Sequence, residues 1–281
     1  MFVIESTGIS DIGKKRKTNE DALLVDDQLG LYVVADGMGG HLAGEVASSL
    51  VVETLRDFIK QDPDREDEIA LDEADERLSE EANRILSGIK ISNKVVYETS
   101  KSEEKYRGMG STVSVLYQNE QTMIAANVGD SPIYLVHKGK IELLSVLHTV
   151  MAEHAAISPD SDHQLGEEYK HMLTRAMGAE ERVNADICEI SSHQDDVLVI
   201  SSDGLSDCVS PDEILEQVLN NSTEHACRSL VDMANERGGY DNVTVIVLRV
   251  KNAKKEPHPM KGLLTRGVKG LVKITSKKHN E

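Results

Sequence analysis

Short β-branched or apolar runs punctuate the chain, each bounded by Gly, Asp, Asn or Ser. They predict strands over 31–35, 114–117, 123–127, 133–137, 197–201 and 243–250. Hairpin turns are expected at 118–121 and 138–140. Runs of strands joined in this way favour antiparallel sheet over alternating βαβ units. Helical blocks fall between them. One spans 44–60, and a second is read from 69 to about 92. In the second, Leu71, Ala74, Leu78, Ala82, Ile85 and Ile89 recur at spacings of three and four and so share a face. Its acidic residues read as a solvated face. Two later helices are expected over 211–220, with Ser210 as N-cap, and over 224–237. Residues 148–182 show little periodicity before 169–177 and read as a surface excursion, a flap over the site.

The length of 281 residues suits a sizeable core, and with no Trp and two Phe that core must be aliphatic. The net charge of −18 is uneven, because 251–281 holds nine Lys/Arg against two Glu. The acidic remainder argues against nucleic acid as a partner, since phosphate backbones need positive surface. Cys188, Cys208 and Cys227 are odd in number and widely spaced, which gives neither a zinc nor a disulfide framework and suits a reducing compartment. The first residues lack the basic segment of a signal peptide, and no apolar run reaches membrane-spanning length. A cytoplasmic protein is expected.

Four phrases set an acidic residue at the end of an apolar strand, beside Gly, Asn or a second acid. They are Asn19-Glu20-Asp21, Val34-Ala35-Asp36-Gly37, Ser201-Ser202-Asp203-Gly204 and Gly239-Tyr240-Asp241-Asn242. One Asp-Gly is commonly just a turn. Four at strand ends, in a chain without Cys/His ligand spacing, suggest an oxygen-ligand site for a hard cation such as Mg²⁺ or Mn²⁺.

At these residues the chain resembles the metal-dependent protein phosphatases of type 2C, the PPM family, and its bacterial branch in particular. The stretch Asp11-Ile-Gly-Lys-Lys-Arg16-Lys-Thr-Asn-Glu-Asp21 is similar to the opening motif. Val33-Val-Ala-Asp-Gly-Met-Gly-Gly-His41, Gly108-Met-Gly-Ser-Thr112, Asn127-Val-Gly-Asp-Ser131, Leu173-Thr-Arg-Ala-Met-Gly178, Ser202-Asp-Gly-Leu-Ser-Asp207 and Gly238-Gly-Tyr-Asp-Asn-Val-Thr244 follow in family order. The resemblance implies an α/β (α+β) four-layer sandwich, with two central antiparallel β-sheets flanked by helices. It makes 1–250 one catalytic domain, and the Lys-rich composition from Lys251 on, with Pro257 and Pro259, reads as a basic, flexible tail over 251–281.

The resemblance also implies the chemistry. Phosphoserine and phosphothreonine in proteins would be hydrolysed by a water activated between two Mn²⁺ or Mg²⁺ ions. Asp36 would bridge the ions. Asp203 and Asp241 would complete the first, and the Gly37 carbonyl would help hold the second. Glu20 and Asp21 would act through water. Asp130, Asp203 and Asp207 match a third, looser metal site. Arg16 matches the phosphate-binding arginine, whose fork can hold two oxygens at once. His41 lies three residues beyond Met38, as in bacterial relatives, and is the candidate general acid. Metal-bound water is the alternative for that role.

Two departures stand out. Pro132 follows Gly-Asp-Ser where the family usually has Arg, and Leu144-Ser-Val-Leu-His-Thr149 lacks an expected Asp. They motivate the alternative of a catalytically silent phosphatase-like binding module. Expected partners are the phosphorylated substrates of a Ser/Thr kinase, met by a monomeric enzyme that opposes kinase signalling. Residues 260–275 are weakly amphipathic and basic, open to contact with an anionic membrane or acidic partner. The alternative for that segment is a disordered solubilising end, since Gly262, Gly267 and Gly270 weaken a helix.

Overall fold

The computed structural model describes residues 3–39, 43–61, 74–119, 122–157, 166 and 169–251. Two antiparallel sheets lie face to face. The first has the order β1 (Ile4–Asp11), β11 (Val243–Val250), β10 (Val197–Ser201), β7 (Ile133–His137), β8 (Lys140–Leu143). The second runs β2 (Asp21–Asp26), β3 (Leu31–Met38), β5 (Val113–Gln118), β6 (Met123–Val128), β9 (Asp186–Ile190), with the two-residue β4 (Gly110–Ser111) on the end of β3.

The sandwich has three apolar layers because its central strands are buried on both faces. In β3, Leu31, Val33 and Ala35 pack toward α1 (Ala43–Lys60) and α2 (Glu80–Ser102). The alternate Tyr32 and Val34 enter the core between the sheets. In β11, Val243, Val245 and Val247 face α5 (Pro211–Asn220) and α6 (Thr223–Glu236), while Ile246, Leu248 and Val250 face the other sheet. The period of two is therefore present but hidden within continuous apolar runs. Each fully buried Leu or Ile contributes about 1.5–3 kcal/mol by leaving water.

Four-layer architecture is as expected, and so are the strand cores, α1, α5 and α6. Ser210 closes a capping box with Glu213, and Pro211 occupies the first turn. Lys138 and Gly139 carry the β7–β8 turn at φ 50° and 75°.

The expected helix from 69 to 92 is displaced. Within the described residues it begins at Glu80, where the Ser79 hydroxyl accepts the Ala82 N–H at 3.1 Å. Upstream, Asn83 closes a turn onto Asp75, accepting its N–H at 2.8 Å. Apolar spacing thus continues through a non-helical turn, and residues 69–73 lie outside the described set. The helix also runs on to Ser102, and within it the Ser92 hydroxyl donates to the Gly88 carbonyl one turn back.

The stretch 148–182 is only partly an excursion. It contains α3 (Val150–Ile157), and its far end returns as extended chain through the Thr149–Leu173 and Ser111–Met177 bridges.

Candidate metal centre

One end of the sandwich collects the acidic strand ends. Asp21 opens β2 and pairs directly with Asp36 near the end of β3. From the other sheet, β10 ends at Ser201 and leads into the four-residue α4 (Asp203–Ser206), while Asp241 and Asn242 precede β11. Asp130 lies between β6 and β7.

Local hydrogen bonds fix this rim. Asn242 accepts the Glu20 N–H at 2.8 Å and donates to the carbonyls of Ile12 and Thr18, clamping the 12–20 loop. The N–H groups of Lys14 and Lys15 both reach the Gly239 carbonyl. Gly239 sits at φ 53°, a conformation that favours glycine. Gly37 and Gly44 are needed for another reason. A Cβ on Gly37 would lie 2.0 Å from the Gly44 carbonyl oxygen. A Cβ on Gly44 would meet Glu20 Oε2 and the Gly37 carbonyl oxygen, each at 2.9 Å. The missing side chain therefore leaves two oxygens converging on one small space.

The carboxylates load each other electrostatically. Burial pushes Asp21 up to about 6, against hydrogen bonds from Thr244 (2.7 Å) and Ser202 (2.8 Å) to its Oδ2. Burial, then the charges of Asp21 and Asp203, hold Asp36 well above the usual carboxylate range. Burial also raises Asp203, but the nearby His171 and Asp36 outweigh it and leave Asp203 below its ordinary value. Asp130 is pushed up to about 7 by burial and then by Asp203. Burial raises Glu20 as well, opposed by Arg16.

Two oxygens in this cluster, Asp21 Oδ1 and Asp203 Oδ1, are buried without a hydrogen-bond partner. Orphaned carboxylate oxygens among like charges are costly unless a cation answers them. The donors are nearly all oxygen, as hard divalent cations require. The residues present therefore fit such a group.

Arg16 donates from Nη2 to Asp241 Oδ2 at 2.6 Å, and both side chains keep contact with solvent. Asp207 lies farther round the rim. His171 links it to the centre, with Nε2 3.4 Å from Asp207 Oδ2 and Nδ1 3.6 Å from Asp203 Oδ2. Lys170 Nζ takes the other Asp207 oxygen at 3.0 Å. One ligand atom each from Asp130, His171 and Asp203 lies within 4.8 Å of the others. The structure thus brings together Glu20, Asp21, Asp36, Gly37, Asp203 and Asp241, with Arg16 at the edge and Asp130 and Asp207 on one side. His41 lies outside the described residues.

His171 was missed. Its segment is aperiodic, and nothing local in the sequence marks its approach to residues thirty positions away. The nearby Leu173–Gly178 motif was the only available signal. Ser202 and Thr244, which hold Asp21, lie inside the Ser202–Asp207 and Gly238–Thr244 motifs, where the sequence alone gives them no role. Pro132 proves compatible with the fold, because only its carbonyl is used, accepting the Ser201 N–H at 3.1 Å.

Fold and site together define a sandwich protein with a carboxylate centre for divalent cations. Residues 11–242 match the model of the family described as protein phosphatase 2C, and the chain belongs to that family. It is 32% identical to a putative protein phosphatase 2C-type of Streptococcus pyogenes, over 85% of this chain and 94% of that protein. The serine/threonine phosphatase of S. agalactiae superposes with a TM-score of 0.75 at 31% identity, covering 89% of this chain and all (100%) of that one. The catalytic domain of the serine/threonine phosphatase PstP, solved with two manganese ions, gives 0.75 at 27% identity, covering 90% of this chain and 100% of its own.

Proposed function

We propose that this chain hydrolyses phosphoserine and phosphothreonine in proteins, using divalent cations held at the carboxylate rim. The observation that carries the reading is the convergence of Asp21, Asp36 and Asp203 with two buried, unpartnered oxygens. Asp36, the Gly37 carbonyl, Asp203 and Asp241 would hold two Mn²⁺ or Mg²⁺ ions, with Glu20 and Asp21 reaching them through water. When bound, such ions supply a water of lowered pKa and neutralise phosphoryl oxygens.

The chain's own residues do the rest. Arg16 offers two parallel donors to the phosphoryl oxygens once it leaves Asp241. Thr244 and Ser202 hold one Asp21 oxygen and so aim the other into the centre. Asp130, Asp203 and Asp207 form the side pocket for a third ion, to which His171 adds a nitrogen. His41 is assigned the proton donor to the departing seryl or threonyl oxygen. No catalytic thiol is required, and burial raises the Cys188 thiol to about 11 and Cys227 to about 12.

Residues 1–250 act as the catalytic domain, supported by the pairing of β1 with β11 from Ile4↔Val250 to Asp11↔Val243. Residues 251–281 are a basic tail, of which 260–275 offer contact to an anionic membrane or acidic partner. A monomeric cytoplasmic enzyme opposing a Ser/Thr kinase fits the acidic body. No helix among the described residues is long and apolar enough to cross a membrane.

Phosphate release from a phosphothreonine peptide tests the reading. Turnover is expected with Mn²⁺ and is abolished by EDTA or by Asp36→Asn. A folded protein with no turnover in either Mn²⁺ or Mg²⁺ would return the chain to the class of silent binding modules.

A further inference from the structure

A second cluster of metal-ligating side chains lies at the opposite end of the first sheet. His137 closes β7, and His193 and Asp196 belong to the turn that enters β10. Asp130 precedes β7 and Asp203 follows β10, so the length of these strands separates the two ends by roughly 15–20 Å. The carboxylate centre uses none of these three residues.

Asp196 is the hub and is 3% exposed. Its Oδ1 is 2.6 Å from His137 Nδ1. Its Oδ2 is 3.5 Å from His193 Nδ1 and accepts the His193 N–H at 2.8 Å. The two imidazoles lie with ring centroids 5.0 Å apart, tilted by 52°. One ligand atom from each of the three residues is within 4.8 Å of the other two.

The turn is fixed on its backbone side. Asp195 adopts φ 68° and donates its N–H to the Val250 carbonyl at 2.9 Å. The Asp196 N–H reaches the His193 carbonyl at 3.1 Å, and its own carbonyl accepts the Val250 N–H at 2.9 Å. The side chains differ in freedom, with His137 31% exposed and His193 59% exposed. A buried carboxylate, a half-buried imidazole and an exposed imidazole form three ligands with an open side toward solvent. To close around an ion, the 2.6 Å His137–Asp196 contact opens slightly and the exposed His193 ring turns inward.

We propose that His137, His193 and Asp196 form a surface site for a borderline transition-metal ion of the zinc type, bridging β7 to the turn before β10. The donor set decides the class of ion. Two imidazoles and one carboxylate suit Zn²⁺, with water in the fourth position, whereas Mg²⁺ and Mn²⁺ prefer the all-oxygen rim. The ion takes the place of the hydrogen bond between His137 Nδ1 and Asp196, with the imidazole proton carried on Nε2 instead, while the His193 N–H to Asp196 and the two backbone bonds to Val250 still hold the turn. It ties two strands at the end far from catalysis, so its effect is on stability rather than on turnover.

The test uses the full chain equilibrated with Zn²⁺ in excess Mg²⁺, so that the oxygen-rich centre is filled by the harder ion. Zinc per chain after dialysis and the shift in Tm are measured for wild type, His193→Ala, His137→Asn and Asp203→Asn. Wild type and Asp203→Asn are expected to keep one zinc more than His193→Ala, and to show a rise in Tm that His193→Ala lacks. Phosphatase activity in Mg²⁺ should be equal in wild type and His193→Ala. Because His193 is mostly exposed, its loss leaves the fold intact, and His137→Asn checks the half-buried ligand with a residue that can still hydrogen-bond Asp196. Equal zinc and equal Tm shifts in wild type and His193→Ala would overturn the assignment. So would zinc lost on Asp203→Asn but kept on His193→Ala.

Discussion

Arg16 Nη2 lies 2.6 Å from Asp241 Oδ2, so the side chain assigned to phosphate and one assigned to metal hold each other. Hydrogen bonding to Asp241 raises the Arg16 guanidinium further above its already high value. The pair is partly exposed, which limits its worth as a structural bridge. Its consequence is competition, because Asp241 cannot serve a cation fully while Arg16 occupies Oδ2.

Removing Arg16 should therefore have opposite effects on the two ligands. Arg16→Ala is expected to bind Mn²⁺ more tightly, since Asp241 is released. The same change should lower kcat/KM for a phosphopeptide by about 10–100-fold, the worth of charged hydrogen bonds to phosphate. Arg16→Lys should recover less than half of that loss, because Lys has no fork. Calorimetry with Mn²⁺ and steady-state kinetics, run side by side, check the signs. Parallel weakening of both would contradict the exchange.

The carboxylate centre also predicts a pH dependence. Asp21 and Asp130 have their pKa values raised by burial from 3.8 to about 6 and about 7. The native fold thus binds these protons more tightly than the unfolded chain. That contribution to stability is fully present below pH 3.8 and is lost as pH rises through about 6 and then about 7. A bound cation reverses the loss by answering the ionised carboxylates. The rise in Tm on adding Mn²⁺ to EDTA-treated protein should therefore grow steadily from about pH 5 to about pH 8. A constant increment would separate these carboxylates from the metal.

Both predictions rest on residues legible in sequence because their partners lie in short, ordered motifs. Asp36 and Asp203 stand beside apolar strands whose runs are continuous, since both faces of the sheet are covered. β1 is harder to see. Its sequence, Ile4-Glu-Ser-Thr-Gly-Ile-Ser-Asp11, has no alternation, because every residue is half-buried at a sheet edge. Register with β11 makes it a strand, and that is a property of the partner. β9 and α3 escaped for related reasons. α3 buries no residue fully and so carries no apolar stripe. His171 and the His137–His193–Asp196 cluster are tertiary in origin. His137 and Asp196 are far apart in the chain but share one end of the sheet because β7 pairs with β10.

His148 shows how the departure at 144–149 is accommodated. It is fully buried, accepts the Gly129 N–H on Nδ1 at 3.0 Å and donates from Nε2 to Asp186 at 2.7 Å. Arg175 joins the same Asp186 oxygen at 2.7 Å. The imidazole thereby fixes the peptide before Asp130 without any help from an Asp in the 144–149 segment. His148→Ala should strand Gly129 and half of the Asp186 pairing, destabilising the fold by about 2–5 kcal/mol. Urea unfolding measures the loss. The Mn²⁺ concentration for half-maximal activity should also rise, because Asp130 is no longer held.

His171 gives the last prediction. It is half exposed, lies between Asp203 and Asp207, and has its pKa raised by its contact with Asp203 and by the charge of Asp207. In metal-free protein it acts as a counter-cation for those carboxylates. A cation at Asp130 and Asp203 must either expel its proton or displace it. His171→Asn removes the positive charge while keeping a polar donor. Without metal, the variant should be less stable than wild type at acidic pH. The gap should close as pH rises above the His171 pKa, because a raised histidine pKa stabilises only while the proton is bound. In kinetics, the weaker part of the Mn²⁺ dependence should shift to higher concentration if the imidazole is a ligand. It should shift to lower concentration if the imidazole is only a competing charge. Activity at saturating Mn²⁺ would remain near wild type in both cases, because Asp36, Asp203 and Asp241 are untouched, so the direction of the shift alone assigns the role of the ring.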